Sequence, residues 1–269
     1  MSLRKSAMIL AGLAASGLLA CKKPDPAAEH RDKGDELLAK DELEAAAAEY
    51  TLSLAADPKQ DKLWEKKAAV LISAGKLDQA AESLLKLLDF ATTPKEKSEV
   101  YRKVANIYLT AKKPEEAEKY FLEALKVDPT DTDSLQWLGE IASTRGGARA
   151  AQLRANPVFL EKAVAYYDQA IAIDPAAPFP YVNKRIALFK YYGHEMRLKQ
   201  EAEQDLQAAG RNRAKVEAAK AQIAQHDGKA ADLKRQIDEL AVKITELQKA
   251  QKEKDKDKDK AAAATVKSN

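Results

Sequence analysis

Side chains able to do covalent or metal chemistry are few in this sequence. A single cysteine, Cys21, excludes an internal disulfide framework and a site built from several thiolates. The three histidines, His30, His194 and His226, are too scattered to predict a zinc triad or a catalytic dyad. There is no nucleophile–base set, paired-carboxylate motif or Gly-rich phosphate loop. We therefore expect no catalytic activity, cofactor, metal site or small-molecule substrate.

A short apolar segment follows a basic amino terminus. Arg4 and Lys5 precede an uncharged, mostly apolar run over residues 7–20. This run is shorter than the roughly 20 residues that a membrane-spanning helix needs. The arrangement predicts a secretory signal over residues 1–20 that is removed from the mature chain.

The end of this signal resembles the lipobox of bacterial lipoproteins. Leu18, Leu19 and Ala20 lead to Cys21, and in that family the signal is cut just before an invariant cysteine. The thiol carries a diacylglyceryl group as a thioether, and Ala20 supplies the small residue that the peptidase needs. Leu19 departs from the family, which prefers a small residue there. The resemblance implies lipidation of Cys21; an ordinary signal peptide or a short anchor that happens to contain a cysteine is the alternative.

The residues after Cys21 bear on location. Residues 21–28 are polar and rich in proline, which predicts a tether between membrane and folded domain. In lipoproteins of diderm bacteria, Asp directly after the cysteine commonly retains the protein in the inner membrane, and here that residue is Lys22. The resemblance therefore implies a lipid-anchored protein of the cell envelope, on the periplasmic face of the outer membrane.

The composition favours helices and argues against a nucleic-acid partner. The sequence has 45 Lys and Arg against 42 Asp and Glu, a net charge of +3. This gives no broad field for attracting nucleic acid or anionic lipid. Alanine is abundant, while only 10 Gly and 10 Pro occur, a balance typical of long helices rather than of a turn-rich β protein. We expect an all-α fold.

Three Asp-Pro pairs mark an internal repeat with a period near thirty-four residues. They stand at 57–58, 128–129 and 174–175, each after an apolar stretch, and proline ends a helix. Small residues recur between these marks, where antiparallel helices must approach closely: Gly34, Ala46, Ala68, Ala80, Ala105, Ala117 and Gly139. With the recurring aromatic and leucine positions, the segments resemble tetratricopeptide repeats. The resemblance implies a solenoid of helical hairpins over residues 29–192, with the best match from about Ser98.

Repeats of this family usually hold a peptide or a partner helix in a groove lined by their first helices, so the resemblance implies a protein partner. The family's groove positions fall on Arg31, Asp35, Lys62, Glu65, Arg102, Asn106, Thr110, Gln136, Trp137, Glu140 and Asn183. Arg102 with Asn106 resembles part of a clamp for a C-terminal carboxylate, but Trp137 stands where that clamp has Asn. Because Leu138 already fills the buried position, we expect the Trp137 indole to be partly exposed and to anchor a partner. A solvated helix face is the alternative for each residue.

Two later segments depart from the repeat. About twelve extra residues, roughly 147–159, carry Arg149 and Arg154; they either lengthen the first helix of the fourth repeat or protrude as a loop. A fifth first helix follows, with Tyr181 and Leu188, and its partner no longer fits the pattern.

The C-terminal third predicts another kind of helix. Over residues 193–251 apolar residues recur at coiled-coil spacing: Ile223, Leu233, Ile237, Leu240, Ile244 and Leu247. Gly210 and Gly228 are weak points; we favour one continuous helix over a hairpin that turns near Gly228. His226 is then a register break or turn residue rather than a ligand. Residues 252–269 alternate Lys and Asp before small residues, which predicts a disordered tail.

These features together predict a non-enzymatic, membrane-anchored scaffold that binds a partner protein of the cell envelope through its repeat groove. The alternative is a structural spacer that acts mainly through its C-terminal coiled coil.

Overall fold

The structure, a computed structural model, describes residues 25–147 and 155–267. Every regular element in these ranges is helical. In chain order they are α1 (Pro26–Ala39), α2 (Leu43–Ala56), α3 (Asp61–Ser73), α4 (Leu77–Leu85), a 3-10 helix (Lys86–Asp89), α5 (Pro94–Thr110), α6 (Pro114–Val127), α7 (Thr132–Gly146), α8 (Pro157–Ile173), α9 (Pro178–Ala208) and α10 (Arg213–Lys267). The predicted all-α fold of helical hairpins with a long C-terminal helix is confirmed. Cys21, Arg149 and Arg154 lie outside the described residues.

The chain divides between Gln60 and Asp61 into two compact units. The first unit holds the α1–α2 hairpin. In the second unit each helix from α3 to α10 packs against the next one along the chain, and α7 also packs against α9. This is the pairing expected of stacked hairpins, in which each repeat buries an apolar face that it cannot bury alone.

The three Asp-Pro pairs end helices, as predicted. Helices α2, α6 and α8 stop one residue before Asp57, Asp128 and Asp174. Each of these carboxylates accepts a hydrogen bond of 3.0 Å from the backbone N–H two residues on. The aspartate thus holds the turn while the following proline, which has no N–H, cannot continue the helix.

The small residues lie where helices touch. A Cβ atom on Gly34 would meet the Tyr50 ring at 2.5 Å, and one on Gly139 would meet the Tyr167 ring at 2.5 Å. Both tyrosines are at most 1% exposed. The predicted alanine positions are equally buried, as Ala46, Ala68, Ala80, Ala105 and Ala117 are all at most 1% exposed. The repeat register read from the sequence is therefore correct.

Helices α9 and α10 form an antiparallel hairpin. The prediction of one continuous helix over residues 193–251 is therefore wrong. The chain turns at Gly210, whose φ of +54° is the left-handed conformation that ends many helices. The preference for a helix through Gly228 is right, because α10 runs uninterrupted across it. Glycine lacks side-chain contacts but is tolerated inside a helix at a cost of about 1 kcal/mol relative to alanine.

The coiled-coil positions of α10 pack on α9. Leu233 and Ile237 form a buried cluster with Leu188 of α9. His226, expected to break the register or turn the chain, lies within α10, and its Nδ1 is 2.7 Å from Oε2 of Glu195 on α9. Glu195 is only 2% exposed, so His226 partners a buried carboxylate across the hairpin.

Two predicted boundaries do not coincide with the ends of elements. Position 193 lies inside α9, because this first helix continues beyond the usual repeat length. Residues 252–267 continue α10 where the sequence predicts a disordered tail. Alanine and lysine there are strong helix formers, and side chains such as Asp257 and Lys260 form ion pairs one turn apart, at 3.8 Å.

A capping box fixes the start of α5. The Thr93 hydroxyl accepts the Glu96 backbone N–H at 3.2 Å. In return the Glu96 carboxylate accepts the N–H groups of Thr93 at 3.0 Å and Thr92 at 2.7 Å. These backbone hydrogen bonds, first that from Thr93, lower the pKa of Glu96 from 4.5 to about 2.

Glu96→Gln is expected to destabilise the protein at neutral pH and to have little effect near pH 2. A lowered pKa in the folded state means that the stabilisation is present above pH 4.5 and is lost as the pH falls towards 2. Urea unfolding of the wild type and of Glu96→Gln, at several pH values from about 2 to 7, measures the difference in their free energies of unfolding. Glu253→Gln, at an exposed position of α10, is the control, and a pH-independent difference for Glu96→Gln would contradict the assignment.

Candidate functional site

The first helices of the second unit are linked side by side by polar contacts between their side chains. Lys103 of α5 forms an ion pair with Glu65 of α3, with Nζ 2.6 Å from Oε1. Arg102 of α5 forms an ion pair with Asp133 at the start of α7. Lys190 of α9 donates from Nζ to the carbonyl and the hydroxyl oxygens of Ser143 on α7, both at 2.9 Å. We call the exposed faces of α3, α5, α7 and α9 the inner surface.

Arg102 is not available to a partner in the way the sequence predicted. Besides its pair with Asp133, its Nε lies 3.3 Å from Oδ2 of Asp131, too poorly aligned for a hydrogen bond. Only 22% of its side chain is exposed. Arg102 therefore links α5 to the α6–α7 connection, and a carboxylate clamp built on it would have to displace two carboxylates of the chain itself.

Asn106 and Thr110 differ in what they offer. Asn106 is exposed, and no hydrogen bond to its side-chain amide is seen from the described residues. Thr110 is also exposed, but its hydroxyl donates to the backbone carbonyl of Asn106 at 3.0 Å. On α5 the amide of Asn106 is therefore the group most ready to bind a partner's backbone or side chain.

Trp137 is 42% exposed, as the sequence predicted. The other side of its indole stacks on Phe121 of α6, with ring centroids 6.2 Å apart and planes 13° from parallel. Phe121 is fully buried, so the indole rests on the repeat core. An aromatic side chain held in this way loses little conformational freedom on binding. On the same helix, Gln136 is half-buried and Glu140 is exposed.

A small recess of about 80 Å³ opens between α7 and α9. It is lined by Glu140, Ser143, Thr144, Tyr167, Asn183, Ile186 and Lys190. Burial, and next the charge of Glu140, raise the pKa of the Tyr167 hydroxyl. The predicted residues Glu140 and Asn183 are brought together here, whereas Ile186 and Lys190 were not predicted. Ile186 and Lys190 lie three and seven residues after Asn183, which places all three on one face of α9. This spacing could have predicted them from the sequence.

The candidates of the first two repeats are largely engaged within the chain. Asp35 accepts the Tyr50 hydroxyl at 2.6 Å, and Arg31 pairs with its neighbour Asp32 at 3.1 Å. Lys62 and Glu65 line a cleft of about 270 Å³ between α3 and α5, with Glu65 bound to Lys103. These positions therefore present fewer available groups than α7 and α9.

Two kinds of feature are not seen in the described ranges. Residues 25–147 and 155–267 contain no group of three or more His, Cys, Asp or Glu side chains placed to hold a metal ion. None of the helices described in the same ranges is long and apolar enough to cross a membrane.

Comparisons with known proteins agree with the repeat architecture. Residues 98–131 match the family model of the tetratricopeptide repeat, the segment that begins at Ser98. The chain is 35% identical over 104 residues to a protein STIP1 homolog of Dictyostelium discoideum, a match that covers 37% of this chain and 18% of that protein. The chain thus spans less than a fifth of the length of this relative.

A solved structure shares this fold of helical hairpins. A TPR repeats protein from Bacteroides fragilis has a TM-score of 0.50 at 15% identity, over 83% of this chain and 98% of that one. A tetratricopeptide repeat protein from Parabacteroides merdae has a TM-score of 0.45 at 16% identity, over 86% of this chain and 88% of that one. Solenoids built from such repeats present extended concave surfaces that bind other proteins, and a role in protein–protein interaction agrees with this fold.

Proposed function

We propose that this chain is a lipid-anchored scaffold of a bacterial cell envelope, which binds a partner protein through its inner surface. The observation that carries the proposal is Trp137, a 42% exposed indole stacked on the buried ring of Phe121. Binding hot spots are enriched in tryptophan and lie among polar groups that exclude water. Gln136, Glu140 and Asn106 supply such groups on the same helix and on the neighbouring first helix.

The envelope part of the proposal is supported by the amino-terminal sequence. A basic start, a short apolar run and Leu18 to Cys21 together resemble the signal of bacterial lipoproteins. The proline-rich tether of residues 21–28 would keep the folded units close to the membrane surface. With Lys22 after the cysteine, the periplasmic face of the outer membrane is the proposed location.

Trp137→Ala is expected to weaken binding of the native partner at least tenfold, since truncating a true hot spot costs about 2 kcal/mol or more. The partner is first captured from detergent extracts of the native envelope with the full chain and identified by mass spectrometry. Binding of the purified partner to wild type and variant is then measured by calorimetry, with melting curves recorded alongside.

The matched control is Leu122→Ala, which removes an apolar side chain that is 37% exposed on the second helix α6. It should leave partner binding unchanged. Trp137→Phe should retain most of the affinity, because it preserves an aromatic ring over Phe121. Unchanged affinity for Trp137→Ala would place the binding surface elsewhere, and a loss of binding matched by unfolding would make Trp137 a core residue.

A second candidate function, a structural spacer, is favoured by the length of α10. Its 55 residues span roughly 80 Å, against 31 residues in α9. About 35 Å of α10 therefore extends beyond its partner helix, and residues 248–258 in that part are exposed. A spacer of this kind would bind its partners independently of Trp137. Partner binding by the Trp137→Ala variant therefore separates the two functions.

A further inference from the structure

Helix α9 carries an exposed apolar stripe. Phe179 is 68% exposed, Ile186 and Phe189 are each 48% exposed, and Met196 is 37% exposed. Their spacing of seven, three and seven residues places them on one face of the helix. Gly193 lies on the same face and is exposed as well. We call these five residues the α9 stripe.

The main helix contacts of α9 lie on its other faces. On the other side of α9, Leu188 packs with Leu233 and Ile237 of α10. Ala187 packs in a buried cluster with Ala142 of α7 and with Ala163 and Tyr167 of α8. The stripe faces away from both contacts, and each of its aromatic and aliphatic side chains leaves 37–68% of its surface exposed. Contiguous exposed apolar groups rimmed by polar residues are typical of interaction sites.

Cations border both edges of the stripe. The Arg185 guanidinium lies 5.1 Å from the centre of the Phe189 ring. Lys190 and Arg197, seven residues apart, follow the other edge, and both are half-buried. Between Pro178 and Gln200 the only carboxylate of α9 is Glu195, which is 2% exposed and bound to His226.

A carboxylate from a neighbouring helix also lies in this region. Glu140 of α7 lines the recess that also contains Ile186 and Lys190. The first half of the stripe therefore has mixed charge. The second half, from Phe189 to Arg197, presents apolar side chains and cations without an exposed acid from α9.

We propose that the α9 stripe docks an acidic amphipathic helix of a partner protein, an inference that rests on the proposed scaffold function. Apolar side chains on one face of such a helix would cover Ile186, Phe189 and Met196. Its carboxylates would face Arg185, Lys190 and Arg197, where charge complementarity selects the partner and speeds encounter.

Charge distinguishes this occupant from others. Two copies of the stripe placed face to face would bring like cations together, which disfavours self-association. Residues 148–154 carry Arg149 and Arg154 and no acid, so they do not complement the stripe either. A continuous anionic lipid surface would be repelled by the Glu140 carboxylate beside Ile186, whereas a helix can present an apolar side chain at that point.

The test uses the full chain and a synthetic labelled helix of about five turns. Its leucines match the spacing of the stripe and its flanks are glutamate. A matched peptide carries lysine in place of every glutamate. Fluorescence anisotropy should give at least tenfold tighter binding of the glutamate peptide, with an affinity that falls as salt rises.

Two variants locate the binding on α9. The double substitution Ile186→Ser with Phe189→Ser should weaken binding of the glutamate peptide at least tenfold, whereas Val242→Ser, at a 61% exposed site of α10, should not. Arg197→Glu should largely abolish the preference for the glutamate peptide, because Arg185 and Lys190 are then balanced by Glu140 and the new carboxylate. Arg211→Glu, at the exposed turn between α9 and α10, should leave it unchanged. Circular dichroism and melting curves establish that each variant is folded.

Several outcomes would overturn the proposal. Equal affinity for both peptides, or no effect of the double substitution, would remove the stripe as the site. A wild-type dimer that the double substitution makes monomeric, measured by light scattering, would make the stripe a self-interface. Binding to phosphatidylglycerol vesicles that depends on Phe189 would make it a lipid surface. If the captured native partner depends on Trp137 but not on Ile186 and Phe189, the stripe fails while the scaffold function stands.

Discussion

Phe121→Ala is expected to lower the free energy of unfolding by about 3–5 kcal/mol, the range for removing a fully buried phenylalanine. Phe121 is 0% exposed and supports the Trp137 ring from below. Its loss leaves a cavity in the third repeat and also removes the surface on which the indole rests. The effect should therefore reach both the core and the inner surface.

Urea unfolding measures this loss by circular dichroism and by tryptophan fluorescence. In a Trp64→Phe background the fluorescence reports Trp137 alone, since the chain has two tryptophans. Leu122→Ala, the next residue on α6 and 37% exposed, is the control and should cost far less. Hydrogen exchange should rise mainly in α5 to α8, because each repeat contacts only its neighbours. Equal losses at positions 121 and 122 would contradict the orientation of α6.

Cys21→Ser is expected to abolish lipid attachment completely. The thioether forms on sulfur, and serine offers an oxygen of much lower nucleophilicity. In bacterial cells supplied with labelled palmitate, the wild type should incorporate label and its mature form should begin at Cys21. The Cys21→Ser variant should remain an unlabelled precursor that retains residues 1–20.

Ser16→Ala, a substitution inside the apolar run that keeps Cys21, is the matched control and should be labelled like the wild type. Mass spectrometry of the amino terminus gives an independent readout. A wild-type protein that keeps Met1 and carries no lipid would reject the envelope location, while the repeat scaffold and its inner surface would be unaffected.

The ion pairs of the inner surface narrow the chemistry of a partner. Glu65 with Lys103 and Arg102 with Asp133 already satisfy each other across successive first helices. A partner that competed for these charges would have to replace existing pairs. Affinity should therefore come from Trp137, the Asn106 amide and the apolar groups of α9, with charge acting as a selector along the α9 stripe.

Much of the fold was predictable from residue types because the governing interactions are local or recur with the repeat. The Asp-Pro pairs hold their turns by contacts within two residues. Gly34 and Gly139 are small because a tyrosine ring of the same hairpin lies against them. Periodic small, large and proline positions therefore indicated the hairpins and their register before any tertiary contact was known.

Other features depend on which side chains the packing of the helices brings together from separate elements of the chain. Arg102 looked available until α7 placed Asp133 beside it, and Trp137 gained a fixed orientation only through Phe121. The last turn was not predicted, because apolar spacing favoured one continuous helix and Gly210 and Gly228, as residue types, are equally weak points in it. Packing on α9 keeps the helix intact through Gly228, and Gly210 takes the left-handed turn. Spacing along the chain determines which face a side chain occupies, whereas its partner, and hence its availability for binding, is decided by the neighbouring helices.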